Sequence, residues 1–571
     1  YQEMMKENKI WIVVLLLAGL KISAQNWITF GGGNTRNGYS RMSGIKDFSS
    51  PEWVINNAGT STLGNAVYSQ GNQFVTSRIT FSPYKGFIEC RNLKDGSLLW
   101  NSPFISVSSI LYCVGFTQDA VYACDYSDGS IFALRAEDGN VLWKSEVKTT
   151  TFGAWPGIVF ACNGDPILAG KTEETRFTIR LDHLTGKLIW SNKTIIAVTP
   201  NPALAASDVK VYRITGGITV PVVLTAIDIK SGRTLYSSLP LPGDPDQENP
   251  IMLGEDGMIY FWRDNGAFNA YRDNGSSFDK VWVYQPVQTT GAALYGNMAI
   301  GPNGNIFIFD IDHLVRLDQH TGDILAIGQS RPLSQPSLTI SSDSLVYVND
   351  GKGSFLLLDY NLNQKEALAA SGNVYCNPSL SREGVMVITQ AGNKISAFKS
   401  AVRRSPVADF TVSRSSINVG ESLDFLEVSS YQADSFEWIF EGADTRISFE
   451  RNPVGIRYPV AGEYRVSLKV TNAYGSDSLG RECFITVRPF VLNKDIANPG
   501  FFVYPIPAHN ILMIRRQEEY KTENYFIVNL KGQRIKEGSI GAGSTSLALD
   551  GLDPGIYVIS LGGEYVRFIV D

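Results

Sequence analysis

The sequence predicts an all-β fold: an eight-bladed β-propeller, with seven blades as the alternative, followed by an immunoglobulin-like β-sandwich and a small C-terminal β-sandwich. Three observations carry this. A strand–turn–strand phrase recurs, as "RNLKDGSLLW" ending at Trp100, "LRAEDGNVLW" at Trp143, "RLDHLTGKLIW" at Trp190 and "AIDIKSGRTLY" at Tyr236. Its turn glycines, Gly96, Gly139, Gly186, Gly232, Gly275 and Gly322, stand 43–47 residues apart, a period that denotes a propeller-type array and not one layered core. Each copy alternates residue types at period 2 before its turn, as in "IFALRA", "FTIRLD" and "LVRLDQ", which marks half-buried strands. Finally, the two ends complement each other. "PEWVINN" (51–57) keeps only the outer strand of a copy and "GNKISAFKS" (392–400) only the strand before it. The first therefore completes the last blade, and the ring closes without an exposed edge.

The chain opens on an address. Lys6 and Lys9 precede the apolar run "IWIVVLLLAGL" (10–20), and Ala24 stands just before Gln25. This is the layout of a cleavable secretory signal over 1–24, with Met4 or Met5 as the start and a core too short to span a bilayer comfortably. No cysteine sits at the cleavage point to take a lipid. A mature chain that is exported, with no transmembrane anchor, is the expectation.

Within the repeat, the Asp, Ser or Thr before glycine suits a tight turn, because Gly tolerates positive φ and the polar side chain can bond its own backbone. The aromatic that follows is a large apolar plug whose burial locks one blade against the next. Trp53, Trp100, Trp143, Trp190, Tyr236 and Trp282 fill this place, and Ala326 and the 365–368 stretch hold it in degenerate copies, which brings the total to eight.

Composition excludes some functions. Charged residues are 19% of the 571, the net charge is −6, and no basic run exceeds Arg403-Arg404 or Arg515-Arg516, so a nucleic-acid footprint is missing. The six cysteines are scattered and spell neither CxxC nor an adjacent pair, so no zinc or dithiol redox motif is written. Cys113 and Cys124 could face each other across a hairpin or be small buried residues. His183, His313, His320 and His509 are dispersed, two of them in repeat turns, which leaves a histidine-centred mechanism little material.

The phrases "FALRAEDGNVLW" and "IRLDHLTGKLIW" resemble the PQQ-like β-propeller repeat of quinoprotein dehydrogenases and BamB-type scaffold proteins, here over a domain of residues 25–401. The resemblance implies fold, not activity. Dehydrogenases of that kind hold PQQ and calcium with a vicinal disulfide, a stacking Trp, calcium-ligating acids and a catalytic Asp. This chain has no adjacent cysteines and no CxxCH. No cofactor is therefore predicted, PQQ is disfavoured, and the acidic loop Asp244, Asp246 and Glu248 lacks the regular spacing of a calcium loop.

Two modules follow. Residues 405–489 carry alternating strands and turn signals of an immunoglobulin-like sandwich. They are similar to the PKD domain, with Trp438 in the core, Asn452-Pro453 before a strand, and the run Gly462, Tyr464, Val466, Leu468, Val470, Asn472. The customary "FGDG" is replaced by "FEGA" (440–443). Residues 500–571 resemble the C-terminal sorting domain of the type IX secretion system of Bacteroidota, through Pro505 and Pro507, Gly532, and Leu552, Gly555 and Tyr557. Ile506 stands where the family commonly has Asn. That resemblance implies a partner in the secretion machinery and a place outside the cell.

Any binding site is expected on loops at an axial face of the ring, where variable segments converge. Trp155, in the loop "TTTFGAWPG" (149–157), is the candidate for stacking on a sugar. No catalytic residue is identified. The reading that results is a non-catalytic binding or scaffold protein for a protein or extracellular glycan. An extracellular polysaccharide-degrading enzyme, or a quinoprotein oxidoreductase, is the alternative.

Overall fold

The computed structural model describes residues 27–488 and 501–571 except 57–59, 105–109, 150–157, 172–175, 194–203, 218–219, 243–250, 255–256, 264–266, 287–297, 311–312, 329–336, 350–353, 370–377, 382, 391–393, 401–404, 413, 432, 517–521, 530–532, 542 and 562–563. The secretory signal assigned to 1–24 lies outside the described residues. Strands and turns make up what is described.

Eight antiparallel sheets succeed one another along the chain. Blades 1 to 7 occupy 60–101, 111–144, 159–192, 204–237, 251–284, 299–327 and 337–369, each strand paired with the next. The eighth sheet joins Ser379–Leu380, Val385–Thr389 and Lys394–Lys399 to the N-terminal strand Trp53–Asn56, with Trp53 opposite Ala397 and Asn56 opposite Lys394. Chain ends that are some 340 residues apart in sequence thus share one blade, so a single ladder closes the ring.

One contact repeats from blade to blade. Trp143 donates its indole N–H to the carbonyl of His183 at 2.8 Å, in the turn of the next blade. Trp100 does the same to Ala136 (2.9 Å), Trp190 to Ile229 (3.0 Å), Trp282 to Gln319 (2.9 Å) and Trp53 to Leu93 (3.0 Å). In each case the ring lies on the turn glycine three residues further on. A Cβ on Gly186 would stand 2.5 Å from the Trp143 ring, and one on Gly139 2.3 Å from that of Trp100. These glycines adopt φ of +70° to +77°, a region other residues enter at a cost. Steric room and backbone conformation therefore both demand glycine. Burying an indole removes roughly 150 Å² or more from water, worth on the order of 4 kcal/mol.

At one junction both the tryptophan and the glycine are lost. Ala326 faces a turn whose left-handed position is Leu362 (φ +67°), and there Arg316 stacks on Tyr360, 4.8 Å from the ring centre, and donates to its carbonyl. Between blades 4 and 5 the ring of Tyr236 packs on Phe278 instead, and Gly275 has open space beside it.

The segment 27–45 forms a second, inner ring. It follows the blades in order, bonding the end of each innermost strand. The Trp27 carbonyl accepts from Ser69 (2.9 Å), that of Ile28 from Phe116 (2.8 Å), that of Asn34 from Ala206 (2.9 Å) and that of Thr35 from Leu253 (2.8 Å). The Asn37 and Gly38 carbonyls accept from Ile300 and Ile340 at 2.8 and 2.9 Å. Thr29 donates to Ile158 and Ser40 to Leu380, which serves the third and eighth blades. Nonpolar anchors Trp27, Phe30, Met42 and Ile45 are buried with it. The strap seals one end of the axis, the end where the innermost strands turn back.

Residues 407–488 form a separate sandwich whose core centres on Trp438, packed by Phe410, Phe425 and Phe440. Residues 501–571 form two further sheets around Phe501, Leu512, Ile527, Ile559 and Phe568.

Cys113 and Cys124 do not face each other. Cys113 stands opposite Ala123 and Cys124 opposite Tyr112, so the pleat sends the two thiols to opposite faces of the sheet and into different cores.

Trp143→Ala is expected to lower the stability of the ring by about 3–5 kcal/mol, read as a shift in urea midpoint. Gly186→Ala should be costly as well, since it adds both a clash and a strained φ. A Trp143→Ala loss below about 1 kcal/mol would contradict the docking role.

Candidate functional site

The two faces of the ring differ in what they have left to offer. On the turn face, the strap fills the axis and the sandwich covers part of the rim. At the opposite face the outermost strand of each blade ends; the links 150–157, with Trp155, and 243–250, with Asp244, Asp246 and Glu248, lie outside the described residues. Buried polar side chains stand where strands end toward that face: Arg263, Asn349 and Thr389 terminate their strands there, and Gln390 follows Thr389. Arg78, fully buried, reaches Thr60 at the start of its blade's innermost strand. Arg263 donates to the Pro242 carbonyl in the adjoining link. The strap thus floors the axis at the turn face, and buried polar groups stand at the strand ends of the other face.

On the turn face, ionisable groups cluster, and each cluster turns out to hold the frame. Asp165, buried in the turn of blade 3, accepts from the Arg180 guanidinium (2.9 Å) and lies 2.6 Å from His183 Nδ1. It also caps the His183 backbone N–H at 2.9 Å. Burial alone would raise its pKa, but the bonds from His183 and the charge of Arg180 outweigh it and hold the carboxyl below the usual range. The consequence is mechanical: Asp165 fixes the turn whose His183 carbonyl receives Trp143. Arg180 completes the arrangement by donating to the Ile229 carbonyl (2.8 Å), the acceptor that Trp190 also uses.

Asp273 belongs to the "RDNG" phrase, which reads as a turn, yet it does more. Its carboxylate accepts from Lys210 Nζ (2.8 Å), Tyr212 (2.6 Å) and Tyr236 (2.5 Å) across the junction of blades 4 and 5. This polar knot stands where five other junctions have an indole on a glycine. Five of the repeat aromatics, Trp53, Trp100, Trp143, Trp190 and Trp282, thus sit in docks, and Tyr236 sits in the knot.

The sandwich is tied to the same face. Lys230 pairs with Glu463 (2.9 Å), Arg488 with Asp182 (3.3 Å), Arg41 of the strap with Asp477 (2.9 Å), and Ser415 donates to Asp119 (3.1 Å). Beneath these contacts Cys162, Glu463 and Cys483 converge, with their ligand atoms within 4.8 Å of one another. The sequence gives no hint of this grouping, because 321 residues separate the two cysteines.

A quinone with its calcium does not fit the described residues. The buried thiols of Cys90, Cys113 and Cys124 are single and lie inside blade cores. The one group of three metal-ligating side chains among the described residues is on the rim of the turn face, away from the axis and beside the Lys230 ammonium.

The family described as outer membrane protein assembly factor BamB matches residues 84–391, more than half of the chain. A secretion system C-terminal sorting domain matches residues 502–568. Among solved structures, the chain is similar to a quinohemoprotein alcohol dehydrogenase from Comamonas testosteroni, at TM-score 0.53 and 11% identity, covering 67% of this chain and 83% of that one. It is similar to a europium-containing methanol dehydrogenase at TM-score 0.53 and 11% identity, covering 67% and 99%. BamB from Moraxella catarrhalis aligns at TM-score 0.44 and 13% identity over 62% and 99%. At such identities the likeness concerns the fold alone. No curated protein matches the chain.

Asp165→Asn should lower stability at neutral pH by about 3 kcal/mol, since it leaves Arg180 buried without its carboxylate. Because the carboxyl is held below its unfolded value, its contribution is present above about pH 4 and is lost as pH falls through the lower native value. Thermal unfolding across pH 2–7 should therefore show a steep acid-side decline in the parent that is shallower in Asp165→Asn. Equal slopes would contradict the latch.

Proposed function

The chain belongs to the family described as outer membrane protein assembly factor BamB, and from that premise we propose that it is a non-catalytic binding or scaffold protein, secreted or displayed at the outer cell surface, whose ring presents its loop face to a protein partner or an extracellular glycan. One observation carries this: the charged clusters of the turn face are committed to Trp docking and to seating the sandwich, and the strap floors the axis. What remains free to vary is the loop face, lined beneath by buried polar groups.

The rest of the proposal follows the modules. Residues 1–24 act as a Sec signal, and the segment 500–571 addresses the chain to the type IX machinery of a Bacteroidota cell. The match of 502–568 to a sorting domain supports that route. Among the described residues no helix is long and apolar enough to cross a membrane. The module 405–489 acts as a PKD-type spacer seated against the ring of 25–401, and Trp155 is a stacking residue for a sugar ring on the loop face. No cofactor is assigned.

Binding of the exported chain to a panel of extracellular polysaccharides and surface proteins, with products followed in the same wells, tests the proposal. Retention without product is the expected outcome, and Trp155→Ala should weaken a glycan by about 1–2 kcal/mol. New reducing ends, unsaturated sugars or oxidised alcohols would overturn the non-catalytic reading.

A further inference from the structure

We propose that Cys162 and Cys483 form a disulfide that locks the sandwich onto the turn face of the propeller. Cys162 lies in the turn 161–165 of blade 3, and Cys483 on the long strand Gly475–Arg488 of the sandwich. Their sulfurs are within 4.8 Å of each other, against about 2.05 Å in a disulfide bond.

The backbone is built toward this pairing. Along the ladder of the sandwich, Tyr464 pairs with Ile485 but Val466 with Arg481, so the strand carries two extra residues around Cys483. Cys483 itself adopts φ +48°, one of the few non-glycine residues in the left-handed region. Bulges re-aim a side chain, and strain of this kind is kept where the aim matters. Here the side chain is aimed at the other domain. Contacts from blades 2, 3 and 4 surround the pair and hold it in register: Ser415 with Asp119, Arg488 with Asp182 and Glu463 with Lys230.

A metal is the competing use of the same atoms. Among the described residues Glu463 is the only third donor, and it is already ion-paired with Lys230 at 2.9 Å. Zinc seeks four donors, and an ammonium beside the set opposes a dication. Two sulfurs meeting across domains in an exported chain suit a covalent bond better.

The electron acceptor is a disulfide, that of an exported oxidant protein or of a small molecule. The Cys483 thiol is held below its ordinary value by the hydrogen bond from Cys162, and Lys230 adds to this, so it is the nucleophile. Its thiolate attacks one sulfur of the oxidant's disulfide and releases one thiolate, giving a mixed disulfide. Cys162 then gives up its proton and attacks the Cys483 sulfur, releasing the second. The oxidant's disulfide becomes a dithiol and takes the two protons that the cysteines lose.

The compartment part of this rests on the export reading, whereas the pairing rests on geometry alone, and two arms separate them. In the first, the full exported chain is alkylated without reductant, digested and mapped by mass spectrometry. In the second, reduced chain is oxidised with glutathione disulfide and mapped in the same way. A linked peptide pair Cys162–Cys483 in both is expected, with Cys90, Cys113 and Cys124 alkylated only after unfolding. A link formed by glutathione disulfide but missing after export keeps the pairing and faults the export reading. Reduction should lower the Tm of the parent by about 5 °C and leave Cys162→Ser unchanged; if that variant fails to fold, the two maps on the parent still decide. The proposal is overturned if both thiols alkylate in the second arm, if either pairs with another cysteine, or if a chelator-releasable divalent metal protects them.

Discussion

An indole seated on a glycine of the next blade is the contact on which this ring depends. The turn must place a left-handed residue without a Cβ under the ring, and a carbonyl three residues earlier must meet the indole N–H. The two halves of the contact are some 40 residues apart and belong to different sheets, so each blade specifies its neighbour. The degenerate junction shows the coupling from the other side. Once Ala326 replaces the tryptophan, nothing requires glycine, and Leu362 occupies the left-handed place.

Closure follows from the same rule. Trp53 arrives on the N-terminal strand that completes the last blade, and it docks on the first blade by its bond to Leu93. Ladder and dock together make the ring continuous. Just before that strand the chain has already passed once around the axis as the strap, tying all eight innermost strands. One face is thereby spent on architecture, and the sandwich settles on it through blades 2 to 4. The binding role proposed for this chain is assigned to the other face because this one is occupied by the strap and the sandwich.

The repeat was legible because its determinants are local and periodic. Strand alternation, the turn glycine and, in four copies, the aromatic four residues after it can all be read within about ten residues. The pairing of the terminal strand was legible because one end lacked what the other had. The strap was not, because "WITFGGGNTRNGYS" bonds through its backbone to strands spread over more than 300 residues and has no periodicity to betray it. Asp273 reads as a turn residue in sequence and becomes a three-donor knot only when Lys210, Tyr212 and Tyr236 are folded beside it. The cysteine pair failed for a similar reason: no spacing rule links residues on two domains. Trp155 and the acidic loop, the ligand candidates, lie outside the described residues.

The most direct test of the account is a double-mutant cycle on Trp190 and Gly232 by urea unfolding. Gly232→Ala should cost much more in the presence of Trp190 than in a Trp190→Ala background, because the clash of 2.5 Å between the new Cβ and the ring disappears while the cost of φ +70° stays. A coupling of about 1 kcal/mol or more is predicted. Strict additivity would mean that the glycine serves only its own turn, and that the blades are held together by something else.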